Sequence, residues 1–78
     1  MTQVTLHAAK RFQQRVSPTL WRGEARAAVR RIWEAGEKTR CPNGDVCVKV
    51  PGIRLFGGIT PGGAAYVKTV IVDERFVA

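Results

Sequence analysis

The pattern of hydrophobic and polar positions changes along the chain from a helical period to an alternating one. The N-terminal part carries apolar residues at the three- and four-residue spacing that gathers side chains on one face of a helix. The first such stripe is Ala8, Ala9, Phe12 and Val16, and the second is Trp21, Ala25, Ala28, Val29 and Ile32. We therefore predict helices over about residues 5–16 and 18–35, with Thr5 capping the first, Ser17 capping the second and Pro18 at its first helical position.

After Gly36 the apolar residues alternate with polar ones, which is the period of a half-buried strand. The alternation and the Pro- and Gly-rich turns predict strands over about residues 45–50, 53–59 and 64–72, with a short additional strand near residues 38–41. The pair Gly57-Gly58 indicates a bulge, a bend or a close backbone approach. The order of elements predicts an α+β fold in which two N-terminal helices pack on a three- to four-stranded antiparallel β-meander.

The length of 78 residues allows one modest core, so we expect residues 1–78 to form a single domain. No apolar run approaches the roughly 20 residues that cross a bilayer, and the first residues do not resemble a secretory signal. We therefore expect a cytoplasmic protein with no membrane partner.

The two cysteines, Cys41 and Cys47, have a C-x5-C spacing. A hairpin that turns at Asn43-Gly44 sets Cys41 beside Val46 and not opposite Cys47, so a cross-strand disulfide requires a wider loop. We expect reduced structural thiols. Zinc requires two ligands besides these cysteines, and the sequence offers one distant histidine, so we expect no metal site and no cofactor.

The charge of the chain is the first indication of a partner. The formal net charge is +7 and the isoelectric point is about 10.5. Nucleic acid, an acidic protein surface and anionic lipid all suit such a charge. The chain has no Gly-rich phosphate-binding motif and no Ser or Cys nucleophile beside a base, which disfavours other enzyme classes.

Cations line the predicted helices at one-turn spacing. His7, Arg11 and Arg15 form one ridge of the first helix, where an imidazole stands beside two guanidinium groups. Further candidates for nucleic-acid binding on the helices are Lys10, Arg22, Arg26 and Arg30. The alternative is that these residues are ordinary solvated helix faces.

The predicted sheet offers a second candidate surface on the face that two helices leave uncovered. Its candidate lining is Lys49, Arg54, Phe56, Tyr66 and Lys68. Cations beside aromatic rings suit single-stranded RNA, because phosphates require charge and unstacked bases require flat partners. The alternative is that Phe56 and Tyr66 form a structural cross-strand pair.

The N-terminal segment, residues 7–16, has the form H-A-x-x-R-F-x-Q-R-V and is followed by a second helix, a β-meander and the closing residues 67–71. In this it resembles small RelE-like domains of the barnase, EndoU, colicin and RelE assemblage of metal-independent ribonuclease toxins, especially prokaryotic and phage members. The resemblance implies that His7 transfers a proton, that Arg11 and Arg15 clamp phosphate, and that Lys68 and Thr69 contact the scissile phosphate. It also implies an acidic antitoxin as a partner.

The chain departs from that family at its C-terminus, because Arg75-Phe76-Val77-Ala78 contains neither the catalytic Tyr nor the His usual there. Three hypotheses therefore follow from the sequence. The chain is a metal-independent ribonuclease toxin that cleaves RNA by 2′-hydroxyl attack, or an RNA-binding domain without chemistry. The third hypothesis is a small basic phage-type protein that binds and inhibits a host protein or nucleoprotein complex.

Overall fold

One short strand, two helices and four further strands follow one another in a computed structural model, which describes residues 2–72. The elements are β1 (Gln3–Val4), α1 (Leu6–Arg15), α2 (Arg22–Ala35), β2 (Lys38–Arg40), β3 (Val46–Val50), β4 (Ile53–Ile59) and β5 (Ala65–Val72). The α+β class predicted from the sequence is confirmed. The C-terminal residues 75–78, on which the departure from the RelE-like family rests, lie outside the described residues.

The strands form one five-stranded sheet in the order β1-β5-β4-β3-β2. Strands β2 to β5 pair antiparallel, whereas β1 pairs parallel with β5. The expectation of an antiparallel three- to four-stranded meander is therefore wrong in two details: the sheet has a fifth strand, and it is mixed. Strand β1 escapes a periodicity argument because it has only two residues, and its position is fixed by distant residues on β5.

The start and the buried face of helix α1 are determined by residues close together in the sequence. The Thr5 hydroxyl accepts a hydrogen bond from the Ala8 N–H at 3.1 Å, which satisfies one of the free donors at the helix start. Ala8, Ala9 and Phe12 are buried, as the apolar stripe predicts. The helix ends where the N–H groups of Val16 and Ser17 both donate to the Phe12 carbonyl.

Helix α2 begins at Arg22, and the prediction that it begins at Pro18 with Ser17 as its cap is wrong. The segment after Ser17 is a turn in which the Leu20 N–H donates to the Ser17 carbonyl at 3.2 Å. The Gln13 amide of α1 donates to the Leu20 carbonyl at 2.9 Å and so ties this turn to the first helix. Because Glu24 accepts from the Trp21 N–H at 3.1 Å, the helix start is stabilised four residues later than the Ser-Pro signal indicates.

The core lies between the two helices and one face of the sheet. Its largest fully buried side chains are Trp33, Leu55, Val29, Val48 and Val67. Burying a large apolar side chain stabilises the fold by about 1.5–3 kcal/mol. At the end of α2 the Lys38 ammonium donates to the Trp33 carbonyl at 2.8 Å, which connects the helix to β2.

The N-terminal segment is held against α2 by a cation. The Arg30 Nε donates to the Thr2 carbonyl at 2.9 Å, and the Thr2 hydroxyl donates to the Glu34 carboxylate at 3.4 Å. Thr2 is buried although it is polar. Arg30, a predicted nucleic-acid-binding residue, therefore has a structural contact that the sequence analysis did not anticipate.

Candidate nucleic-acid interface

The sheet has a second face, opposite the one that packs on the helices, which we call the open face. Successive side chains of a strand point to opposite faces, so residues that alternate with the buried Val46, Val48 and Leu55 belong to it. The strand register gives its rows: Thr39, Cys47, Phe56 and Thr69; then Lys49, Arg54 and Ile71; then Gly58 and Tyr66. The structure therefore brings together on one face the predicted sheet residues Lys49, Arg54, Phe56, Tyr66 and Thr69.

Tyr66 lies over Gly58, its partner in the neighbouring strand. A Cβ atom placed at Gly58 would lie 2.6 Å from the Tyr66 hydroxyl oxygen and 2.8 Å from its Cζ. The ring therefore occupies the space that any larger residue at position 58 would need. Because Thr69, and not Tyr66, is the register partner of Phe56, the two rings are not directly opposed, as a simple cross-strand aromatic pair would be.

A bulge directs the Lys68 side chain across the sheet. Phe56 pairs with Thr69 and the next residue, Gly57, pairs with Val67, so Lys68 is an extra residue in β5. Its ammonium lies 2.8 Å from the Asp45 carboxylate, just before β3. Because β4 separates β5 from β3, the Lys68 side chain must extend across β4.

The ion pair also affects protonation. The hydrogen bond with Asp45 raises the pKa of the Lys68 ammonium above its ordinary value and outweighs desolvation, which lowers that pKa. The charges of Asp45 and then of Tyr66 add smaller effects in the raising direction. The Lys68 side chain remains 46% exposed although its ammonium is paired with Asp45.

Lys49 and Arg54 concentrate positive charge at the other end of the open face. They are direct cross-strand partners in β3 and β4. Their potential extends to Cys47, where both act to lower the pKa of the thiol. Burial of the thiol has the larger effect, followed by the neighbouring Cys41, so the pKa of Cys47 is raised above its ordinary value.

The two cysteines lie closer together than the predicted two-residue turn implies. The Cys41 N–H donates to the Asp45 carbonyl at 2.7 Å, and the Gly44 N–H donates to the Cys41 carbonyl at 3.0 Å. Cys41 is thus opposite Asp45 and not beside Val46, because Val46 pairs with Arg40. This wider loop places Cys41 on the same face as Cys47, close enough that Cys41 contributes to raising the pKa of the Cys47 thiol.

The predicted ridge of α1 forms away from these groups. His7 and Arg15 are exposed and Arg11 is half-buried, and the regular helix stacks the three at one-turn spacing; Lys10 beside them is exposed. Near the start of α1 the Thr5 hydroxyl contacts the Lys68 carbonyl at 3.3 Å. The Lys68 side chain, however, extends towards Asp45, away from the edge at which α1 begins. The structure does not bring the Lys68 ammonium and the His7 ridge together.

The predicted arginine row of α2 divides into three different environments. Arg22 is exposed, Arg26 is half-buried with its Nε buried and without a hydrogen-bond partner, and Arg30 contacts Thr2.

Asp45 is the residue of the open face that the sequence analysis missed. The sequence places Asp45 directly after the Asn-Gly turn, but the ion pair of Asp45 with Lys68, 23 positions later, depends on the bulge.

Within residues 2–72 no three His, Cys, Asp or Glu side chains assemble a metal-binding group. Neither helix in that range has the length and apolar character that a membrane crossing requires. Comparison of the chain with protein-family models, with curated proteins and with solved structures gives no match.

Proposed function

We propose that this chain binds single-stranded RNA across the open face of its sheet. The observation that carries the proposal is the Tyr66 ring, which lies over Gly58 on the same face as Phe56. Lys68 follows Tyr66 two residues later on β5, and Lys49 and Arg54 lie at the opposite end of the face. A glycine beneath the ring lets an aromatic side chain lie against the backbone instead of standing upright.

The open face offers both kinds of contact that RNA requires. Lys49, Arg54 and Lys68 are suited to contact phosphates, and Phe56 and Tyr66 are suited to stack on bases. Stacking of a base on an aromatic side chain contributes about 1–3 kcal/mol, and it tolerates any base because every base has a flat face. The net charge of +7 adds attraction at longer range.

The single-stranded form is favoured over a duplex by the shape of this surface. Bases in an A-form duplex are stacked on each other, and side chains cannot reach them through the deep, narrow major groove. Half-buried rings on a sheet can contact only bases that are already splayed out. The resemblance of the α1 segment to RelE-like domains agrees with RNA as the ligand.

The experiment compares two charge-matched double variants in RNA binding measured by fluorescence anisotropy. Lys49→Ala with Lys68→Ala removes two exposed cations from the open face, and Arg22→Ala with Arg31→Ala removes two exposed cations from α2. We expect the first pair to weaken binding at least about tenfold more than the second and to flatten the salt dependence, because fewer counterions are released. Equal losses would show that charge alone, and not this face, determines binding.

A second candidate function is RNA cleavage, which the exposed ridge of His7, Arg11 and Arg15 favours. In that reaction His7 removes the proton from a ribose 2′-hydroxyl, and the oxygen attacks the adjacent phosphorus while the two guanidinium groups neutralise the developing charge. The P–O5′ bond breaks to leave a 2′,3′-cyclic phosphate, and the departing 5′-oxygen takes a proton from water to become a hydroxyl group. The contact of the Thr5 hydroxyl with the Lys68 carbonyl holds the start of α1 at the edge of the sheet. An RNA chain that leaves the open face at this edge passes the start of α1. Replacing His7 with Ala tests it: cleavage is expected to stop while RNA binding persists, and unchanged cleavage would exclude the role.

A further inference from the structure

We infer that Cys41 and Cys47 form a reversible intramolecular disulfide when the protein meets a peroxide oxidant. The two residues are the only cysteines in the chain, and the hairpin register places both on the open face. This inference does not depend on RNA binding, because it concerns only the reaction of the two thiols.

The loop between β2 and β3 provides the geometry. Thr39 pairs with Cys47, and Cys41 lies opposite Asp45, so the two cysteines are diagonal neighbours across the β2–β3 hairpin. Diagonal neighbours have Cα atoms about 7–8 Å apart, and a disulfide accepts up to about 6.8 Å. Closing the bond therefore requires a movement of about 1 Å. Cys41 can make it because it lies beyond the last residue of β2, at the start of the loop.

The two thiols differ in accessibility, and this assigns their roles. Cys41 is half-exposed, so peroxide can reach its sulfur, whereas Cys47 is 3% exposed. An accessible cysteine beside a sheltered one is the arrangement of a reacting and a resolving thiol. Burial, which raises the pKa of Cys47, keeps that thiol protonated and slow to react with the oxidant directly.

The reaction proceeds in two balanced steps. The Cys41 thiolate attacks one oxygen of hydrogen peroxide, the O–O bond breaks, and the products are Cys41 sulfenic acid and hydroxide, which takes up a proton to become water. The Cys47 sulfur, losing its proton, then attacks the Cys41 sulfur and displaces the hydroxyl group as a second water. Two thiols are oxidised to one disulfide and one peroxide is reduced to two waters. Because Cys47 is the register partner of Phe56, the bond forms next to Phe56, towards the β2 edge of the open face.

The test uses the reduced full-length chain, treated with one equivalent of hydrogen peroxide at neutral pH. Trypsin cuts after Arg40 and after Lys49, so a single peptide, residues 41–49, contains both cysteines. We expect this peptide to lose the mass of two hydrogens, both free thiols to disappear together, and dithiothreitol to restore them. The chain should remain monomeric in non-reducing electrophoresis.

Two variants separate the steps. In Cys47→Ala the resolving thiol is missing, and Cys41 should accumulate as a sulfenic acid that dimedone labels. In Cys41→Ala the remaining Cys47 should resist the same peroxide treatment. The inference is overturned if the native chain adds oxygen to Cys41 while Cys47 stays reduced, or if oxidation yields only disulfide-linked dimers.

Discussion

The ring of Tyr66 lies over Gly58, and this relationship links the sheet register to the proposed binding surface. A Cβ atom at Gly58 would meet the far end of the Tyr66 side chain, which can move, whereas one at Gly57 would lie within 2.9 Å of the Tyr66 carbonyl carbon and the Val67 Cα, which cannot. The two adjacent glycines therefore respond differently to the same substitution.

Gly58→Ala is expected to preserve the fold and weaken RNA binding. The added methyl group displaces the Tyr66 ring from the open face, and we expect an affinity loss of about fivefold to thirtyfold, equivalent to about 1–2 kcal/mol of stacking. Anisotropy with the same labelled RNA measures it, and circular dichroism confirms folding.

Gly57→Ala is the matched control, because the methyl group meets backbone that cannot shift without breaking the pairing of β4 and β5. We expect a loss of unfolding free energy of about 3 kcal/mol or more, read from urea denaturation. If instead Gly58→Ala destabilised the chain as much as Gly57→Ala, the Tyr66 ring would have to be fixed by contacts other than those described.

Asp45→Asn is expected to strengthen RNA binding. The change removes a negative charge from the open face and releases the Lys68 ammonium for phosphate. The two side chains are 46% and 22% exposed, and Asn can still accept a hydrogen bond from Lys68, so the cost in stability should be about 1 kcal/mol, the upper end for a surface ion pair. Glu37→Gln is the control, since it removes one exposed carboxylate beyond the end of α2. An equal gain in affinity for both variants would mean that only net charge matters.

The stability of the reduced protein should fall as the pH rises above about 9. The folded state raises the pKa of Cys47 above its ordinary value of 9.0, so the unfolded state loses the thiol proton first. The contribution of the Cys47 thiol to the free energy of unfolding is fully present below pH 9.0 and is lost as the pH rises through the pKa of this thiol in the folded state. One group contributes a slope of at most about 1.4 kcal/mol per pH unit.

Urea denaturation of the parent and of Cys47→Ala at several pH values measures that contribution. The parent should show the steeper loss of unfolding free energy in the alkaline range, because Lys68 and the other titrating groups are common to both proteins. Parallel curves would mean that the Cys47 thiol titrates alike in the folded and unfolded states.

Arg30→Ala is expected to destabilise the fold and to leave RNA binding nearly unchanged. The Arg30 guanidinium holds the buried Thr2 carbonyl, and a hydrogen bond from a charged donor contributes about 1.5–3 kcal/mol. Arg31→Ala, at the adjacent exposed position, should cost less than about 0.5 kcal/mol. Thermal denaturation compares them, and equal losses would contradict the structural role of Arg30.

Features that depend on neighbouring residues could be predicted from the sequence. The Thr5 cap and the buried face of α1 follow from spacing alone, and the alternation around Val48 identifies the face on which Lys49 and Cys47 lie. The Gly57-Gly58 pair predicts a bulge, a bend or a close backbone approach, and the structure has a register shift between Phe56 and Gly57 and a close approach of the β5 backbone to Gly57.

Features that depend on distant residues could not be predicted. Strand β1 exists because β5 supplies its partner, and the Thr5 N–H completes that edge by donating to the Val67 carbonyl at 3.0 Å. The Lys68 pairing with Asp45 requires the bulge, which periodicity cannot locate to one residue. The predicted start of α2 is wrong because Ser17-Pro18 favours a turn as well as a helix N-terminus. The hydrogen bond from the Gln13 side chain to the Leu20 carbonyl stabilises the turn.

The most direct test of RNA binding by the open face is a titration of the isotope-labelled protein with single-stranded RNA, followed by amide chemical shifts. If RNA binds to the open face, we expect the largest changes at Cys47, Phe56, Tyr66 and Lys68, with small changes at His7, Arg11 and Arg15. Changes concentrated on the α1 ridge, with the open face unaffected, would contradict binding to the open face.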